Sequence, residues 1–151
     1  MRAVATLLTV LLLGVAGPAV ALEDLAGWRE TRWGMTETEL QRVLGEDVTR
    51  LPGRWLYGGA YADLAVRDVE IAGLTFTAYL QMNAETNQLQ QVLLERRRTG
   101  ALPTAFEQLV DSLIETLGPP AADCAQARTG GRPLDYQLTW RFATTTVHAK
   151  F

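Results

Sequence analysis

Two of the residue types most used for nucleophilic and proton-transfer chemistry occur once each: Cys124 and His148. A thiolate nucleophile needs a basic or cationic neighbour to lower its pKa. His148 stands in "TTVHAKF" (residues 145 to 151). Alternation there puts Val147, Ala149 and Phe151 on one side and Thr146, His148 and Lys150 on the other. Cys124 lies in "AADCAQARTGGRP" (residues 121 to 133), read as a loop of small residues, and no spacing joins it to His148. One histidine and one cysteine fall short of the four N or S ligands of a structural zinc site. No metal or cofactor is expected. HExxH, CxxC, a Ser-centred elbow and a P-loop do not occur. The catalytic option left open is a pair of carboxylates meeting in space, and the spacing marks no such pair. A single cysteine forms no internal disulfide; it is either buried or pairs with another chain.

Binding chemistry is better represented. "LTFTAYLQM" (residues 74 to 82) alternates: Leu74, Phe76, Ala78, Leu80 and Met82 face one way, and Thr75, Thr77, Tyr79 and Gln81 the other. "LDYQLTWRF" (residues 134 to 142) repeats the pattern, with Asp135, Gln137, Thr139 and Arg141 on the polar side. Tyrosine and arginine are the residue types that most often carry interface energy. Tyr79, Arg141 and His148 are therefore the expected anchors of an uncovered sheet face. A second candidate is "VTRLPGRWLYGGAYADL" (residues 48 to 64), where Trp55, Tyr57 and Tyr61 crowd a Gly-rich stretch. This segment reads as an edge strand with a loop. Its aromatics either cap the core or form a recognition surface. The basic run "ERRR" (residues 95 to 98) reads as a solvated strand end.

The elements that must hold these residues are well marked. "RWGMTETELQRVLG" (residues 32 to 45) carries a capping box, Thr36 with Glu39 three residues on. Met35 and Leu40 have the spacing of a hydrophobic staple. Leu40, Val43 and Leu44 share a face, and Gly45 stands where a left-handed C-cap is wanted. Trp33 is expected to pack under the helix and Gly34 to allow a tight entry. "PTAFEQLVDSLIETLGPP" (residues 103 to 120) repeats the grammar. Thr104 reads as the cap, Phe106, Leu109, Val110, Leu113, Ile114 and Leu117 form the stripe, and Gly118, Pro119 and Pro120 end it. Strands are expected near 65 to 71, at 74 to 82 and, after the turn "NAETN", at 88 to 97. The alternation of this last strand slips near Val92 to Leu94, as at a bulge or under full burial. The final two runs make a hairpin. Short turns imply antiparallel pairing. The expected architecture is α+β: two helices packed on one face of an antiparallel sheet of about five to six strands.

The phrase "WGMTETELQRVLG", with "LIETLGPP" followed by a strand containing Trp140, resembles the recurring opening and layout of small exported bacterial α+β domains, many without an assigned function. The layout is also similar to the β-lactamase-inhibitor protein fold and to the small lipoprotein of the outer-membrane barrel-assembly machine. That resemblance implies a two-helix, antiparallel-sheet module that binds other proteins. The lipobox cysteine of the assembly lipoprotein is missing here. Only scaffold phrases match, so no binding residue is carried over.

Arg2, the uncharged run "AVATLLTVLLLGVAG" (residues 3 to 17), Pro18 and the small residues of "AVA" (19 to 21) form a secretory signal pattern. Cleavage after Ala21 leaves 151 − 21 = 130 residues for one domain, 22 to 151, and moves the formal charge from −3 to −4 because only Arg2 is lost. That length can bury a core without staples. A mildly acidic chain gives no electrostatic footprint for nucleic acid. The expected role is an exported, periplasmic or secreted, non-enzymatic protein-binding domain whose partner is another envelope or periplasmic protein. No transmembrane segment is expected after cleavage. The alternatives are a small exported hydrolase with a carboxylate-based site and a homo-oligomeric structural envelope protein. Intact-mass measurement of protein recovered from the periplasm should give a chain starting at Leu22, within a residue or two. Full-length chain in the membrane pellet would contradict the signal reading.

Overall fold

The computed structural model describes residues 24–96, 103–126 and 135–150. Residues 1–23, 97–102, 127–134 and 151, which include the expected signal pattern, the end of the basic run and part of the stretch 121 to 133, lie outside the described residues. The chain is α+β, with α1 (Glu37–Leu44), a single 3-10 turn (Gly45–Asp47), β1 (Val48–Tyr57), β2 (Ala60–Ile71), β3 (Leu74–Asn83), β4 (Leu89–Glu95), α2 (Pro103–Leu117), β5 (Ala122–Gln126), β6 (Asp135–Arg141) and β7 (Thr146–Lys150). The expected single sheet of five or six strands is corrected. The seven described strands form two antiparallel sheets, ordered β1-β2-β3-β4 and β5-β6-β7.

α1 forms as its cap predicts. The Thr36 hydroxyl accepts from the Glu39 backbone N–H at 3.4 Å, and the Glu39 carboxylate accepts from the Thr36 N–H at 2.8 Å. Gly45 ends the helix with φ +55. Leu40 and Leu44 then bury against Leu64, Val66, Val69, Phe76, Ala78, Leu80, Met82 and Leu89 of the first sheet. Burying each leucine stabilises the fold by about 1.5–3 kcal/mol. The first sheet is a meander with tight turns. Ala72 and Gly73 both take positive φ between β2 and β3, as a two-residue type I′ hairpin requires. Gly58, at φ +66, turns β1 into β2. The stretch 48–64 is therefore not a strand with a loop. It is a strand, a turn and the start of a second strand.

The strand expected near 65 to 71 is present as β2, but it starts earlier, at Ala60, where alternation gives no sign of it. Its register shifts between Tyr61 and Leu64 and again between Val66 and Val69. Residues Ala60, Tyr61, Ala62, Leu64, Ala65, Val66 and Val69 are all buried. The slip expected near Val92 to Leu94 lies earlier. Met82 pairs with Leu89 and Gln81 with Gln91, so Gln90 is the extra residue.

α2 begins at Pro103, a residue suited to the first helical position. Thr104 thus belongs to the first turn and is not the cap. Phe106, Val110, Leu113 and Leu117 pack on Leu138, Trp140 and Ala149 of the second sheet, while Leu109 reaches the core of the first. Ile114 departs from the expected stripe and is exposed. Gly118, at φ +76, donates its N–H to the Ile114 carbonyl at 2.9 Å, and its own carbonyl accepts the Trp140 indole N–H at 2.7 Å. That bond lets a fully buried tryptophan keep its donor satisfied.

The segment before α1 joins the two sheets. The Gly34 N–H donates to the Leu89 carbonyl at 2.8 Å, and the Leu89 N–H to the Met35 carbonyl at 2.7 Å. The Trp33 indole N–H donates to the Thr145 hydroxyl at 2.7 Å, in the β6–β7 turn. Thr145 in turn donates to the Leu25 carbonyl. Asp24 accepts from the Thr144 N–H at 2.9 Å and from its hydroxyl at 2.7 Å. Trp33 packs against the α1 core as expected, but its indole serves a second function the pattern did not show. The loop that aims it is tight. A Cβ on Gly27 would stand 2.0 Å from the Thr31 carbonyl oxygen and 2.8 Å from the Arg32 Cα. Both are backbone atoms, which cannot yield cheaply. Gly27→Ala should cost at least about 2 kcal/mol in urea melts. Gly53→Ala, where a Cβ meets nothing within 4 Å, should stay within about 0.5 kcal/mol.

Candidate functional site

The expected recognition face of Tyr79, Arg141 and His148 is not one surface. Tyr79 sits in β3 of the first sheet and is buried, 6% exposed. Arg141 and His148 are exposed, but on β6 and β7 of the second sheet. They do share a face there, since Arg141 pairs with Thr146 and His148 with Thr139. The His148 ring Nδ1 lies 3.1 Å from the Thr139 hydroxyl and 3.5 Å from the Gln137 amide. Neither contact is with a carboxylate or a thiol. Cys124 is placed by its backbone in β5, opposite Gln137, and not in a loop as expected. Its thiol lies outside the described residues.

What the structure does bring together is the outer face of the first sheet. Trp55 of β1 stacks on Tyr79 of β3, ring centroids 4.9 Å apart and planes 23° from parallel. The pair spans β2, whose outward residues Ala62 and Ala65 are small enough to lie beneath it. Leu51, Tyr57 and Leu93 complete this cluster. So the two aromatic groups read separately in the sequence belong partly to one face. Tyr61 does not join them. It points to the helix side, 5% exposed, and donates its hydroxyl to Asn87 Oδ1 at 3.0 Å. Burial raises its pKa above the ordinary tyrosine value.

A charged network secures the end of β1. Arg54 grips Asp63 of β2 with two nitrogens, Nη2 at 2.6 Å and Nε at 3.1 Å, and its guanidinium lies 3.9 Å over the Tyr61 ring. Arg50 pairs with Glu37 at the start of α1, 3.2 Å apart. Leu56, between Trp55 and Tyr57, faces the other way and is 78% exposed. β1 is an outer strand of its sheet.

Beside the aromatic cluster, an open cleft of about 420 Å³ is bordered by Tyr57, Gln81, Asn83, Glu85, Gln90 and Gln91. Sequence reading singled out none of these amides as a site. Gln81 looked like one member of a polar alternation. The adjacency of Gln90 and Gln91 in "QLQQ" was the available signal, but only the bulge puts both on one cleft. Among the described residues, no helix is long and apolar enough to cross a membrane, and no group of three acidic, His or Cys side chains could hold a metal ion.

No family model, curated protein or solved structure matches this chain.

The Arg54–Asp63 pair gives a testable pH dependence. Hydrogen bonding from Arg54 holds the Asp63 carboxyl below the ordinary carboxylate range. A depressed folded pKa means the pair's stabilisation is complete above the unfolded aspartate value, about 4, and is lost as the pH falls through the folded one. Denaturant melts should thus show Asp63→Asn less stable than wild type at pH 7. The gap should narrow steadily below about pH 4. A gap that stays constant down to pH 2 would show that Asp63 contributes no such linkage.

Proposed function

We propose that this chain is an exported, periplasmic, non-enzymatic domain that binds another envelope or periplasmic protein through the outer edge of β1 at Leu56. Leu56 carries the reading. A leucine 78% exposed on an outer strand, flanked by two aromatic residues, is an unusual use of a large apolar side chain. An outer strand offers its backbone N–H and C=O groups to an extended segment of a partner, and side chains beside it supply specificity. Pro52, Gly53 and the register shift between Arg50 and Trp55 break the first part of β1. The Arg54–Asp63 grip holds the remainder in place. The pattern of residues 1 to 21 supports export. The resemblance of the "WGMT" phrase and element order to exported protein-binding modules favours the same role. Both helices are taken to form one layer, a view supported by Leu109 of α2 reaching the core under α1.

A homo-oligomer pairing β1 with β1 is the second reading, since the same edge serves a second copy of the chain. Size-exclusion chromatography with light scattering separates the two. Leu56→Asp should leave the melting curve within about 0.5 kcal/mol of wild type, because the side chain is already in water. In affinity capture from a periplasmic extract it should weaken recovery of the partner by about tenfold or more, the effect of losing roughly 1.4 kcal/mol. A wild-type dimer that Leu56→Asp converts to monomer would favour the oligomer. Equal capture by wild type and variant would rule out this edge.

A further inference from the structure

The cleft beside the aromatic cluster is made by deliberate departures from regular geometry. The bulge at Gln90 sets Gln90 and Gln91 on the same opening, and bulges commonly re-aim side chains next to binding sites. The Gln90 carbonyl oxygen accepts from Asn83 at 2.9 Å, which orients the amide and leaves its NH2 group as donor. Asn83 is itself fixed, its own oxygen accepting from the N–H groups of Glu85 and Thr86 at 2.9 and 3.0 Å. Gln81 lies directly opposite Gln91 and is 4% exposed. It borders the cleft, and its amide is not among the buried polar atoms cut off from both solvent and partners, so the open side of the cleft is where it meets water. A ligand hydroxyl can take the place of that water.

The lining decides the ligand's chemistry. Glu85 is its one charged side chain and no lysine or arginine borders it, so a phosphate or carboxylate ligand would meet no counter-charge. An apolar ligand would leave the Gln81 amide unsatisfied. Carboxamides offer a donor and an acceptor in one plane, which suits hydroxyl groups that are also both. The volume lies within the usual range for small-ligand sites, about 300–1,000 Å³. We propose that this cleft binds a neutral oligosaccharide, with the amides of Gln81, Gln90 and Gln91 hydrogen-bonding its hydroxyls. This inference stands apart from protein binding at β1, and Leu56→Asp should take up sugar as wild type does.

The test titrates isotopically labelled full chain with cellotriose, triacetylchitotriose and the neutral peptide N-acetyltriglycine amide, following side-chain amide signals by NMR. Either sugar should shift the amides of Gln81, Gln90 and Gln91 with a Kd of about 0.1–5 mM, modest because the site is open and few groups are immobilised. Gln91→Ala should weaken binding at least about fivefold, the loss of one hydrogen bond to a neutral group. Gln81→Met, which keeps the volume and removes the amide, should abolish the shifts at the other two amides. The same variant should keep Tm within roughly 3 °C of wild type, since it conserves volume and removes no hydrogen bond of the fold. Sugars that move none of these amides overturn the assignment, as does a response confined to the peptide. A larger fall in Tm for Gln81→Met also overturns it, because the amide would then be serving the fold.

Discussion

The indole N–H of Trp33 is the link on which the two sheets depend. It bonds a threonine in the β6–β7 turn, while the two residues that follow it bond β4 through their backbones. One three-residue phrase therefore holds both sheets. The phrase can do this because each part uses a different kind of group. The tryptophan's side-chain donor reaches the second sheet at 2.7 Å, with the Leu25 carbonyl as a longer second acceptor at 3.3 Å. Gly34, at φ +88, turns the backbone so that its N–H meets the first. Met35 returns the chain into the core and starts the helix that covers it. A phrase that might pass for a catalytic or ligand motif is thus fully occupied by structure.

The same economy explains where binding chemistry is left. The helix side of the first sheet is filled by leucines, valines and a phenylalanine. The far side is covered by its own aromatic residues, Trp55 leaning across the alanines of β2 onto Tyr79. That self-covering removes Tyr79 from solvent and confines openness to two places. One is the outer edge of β1. The other is the end of the sheet, where the aromatic cover stops and the glutamines begin. Two ion pairs tie β1 to its surroundings, Arg54 to Asp63 of β2 and Arg50 to Glu37 of α1.

Much of the scaffold was legible. The capping box of α1, the stripe of α2 and the alternation of β3, β6 and β7 all depend on neighbours within a turn or two, and local spacing records them. Of β2 only the second half, near 65 to 71, was legible, from the turn at Gly73; bulges and burial on both faces erase its period-2 signal. The division into two sheets was not legible either. Strand pairing between distant segments leaves no mark on alternation. For the site, residue type was readable and placement was not. Tyr79 reads as polar-face because it alternates with leucines, yet a tryptophan more than twenty positions earlier covers it. Arg141 and His148 share a face with each other and not with Tyr79, a fact set by sheet order. Leu56 and Gln81 were invisible for opposite reasons. One is apolar where solvent is, and the other is polar where solvent is scarce.

The hydrogen bonds between the β6–β7 turn and Asp24, Leu25 and Trp33 join residues more than a hundred positions apart. The four-stranded meander, by contrast, is built from contacts between successive strands. Synthesis runs from the N-terminus, so the meander can assemble while its clasp is still waiting for residues 144 and 145. Closing a loop of that length is entropically the most demanding step, and nothing earlier in the chain can substitute for it. A nascent or truncated chain that stops short of the last hairpin would therefore present a formed sheet with an open N-terminal arm. The arm's tryptophan would serve as a natural reporter of whether the chain has been finished.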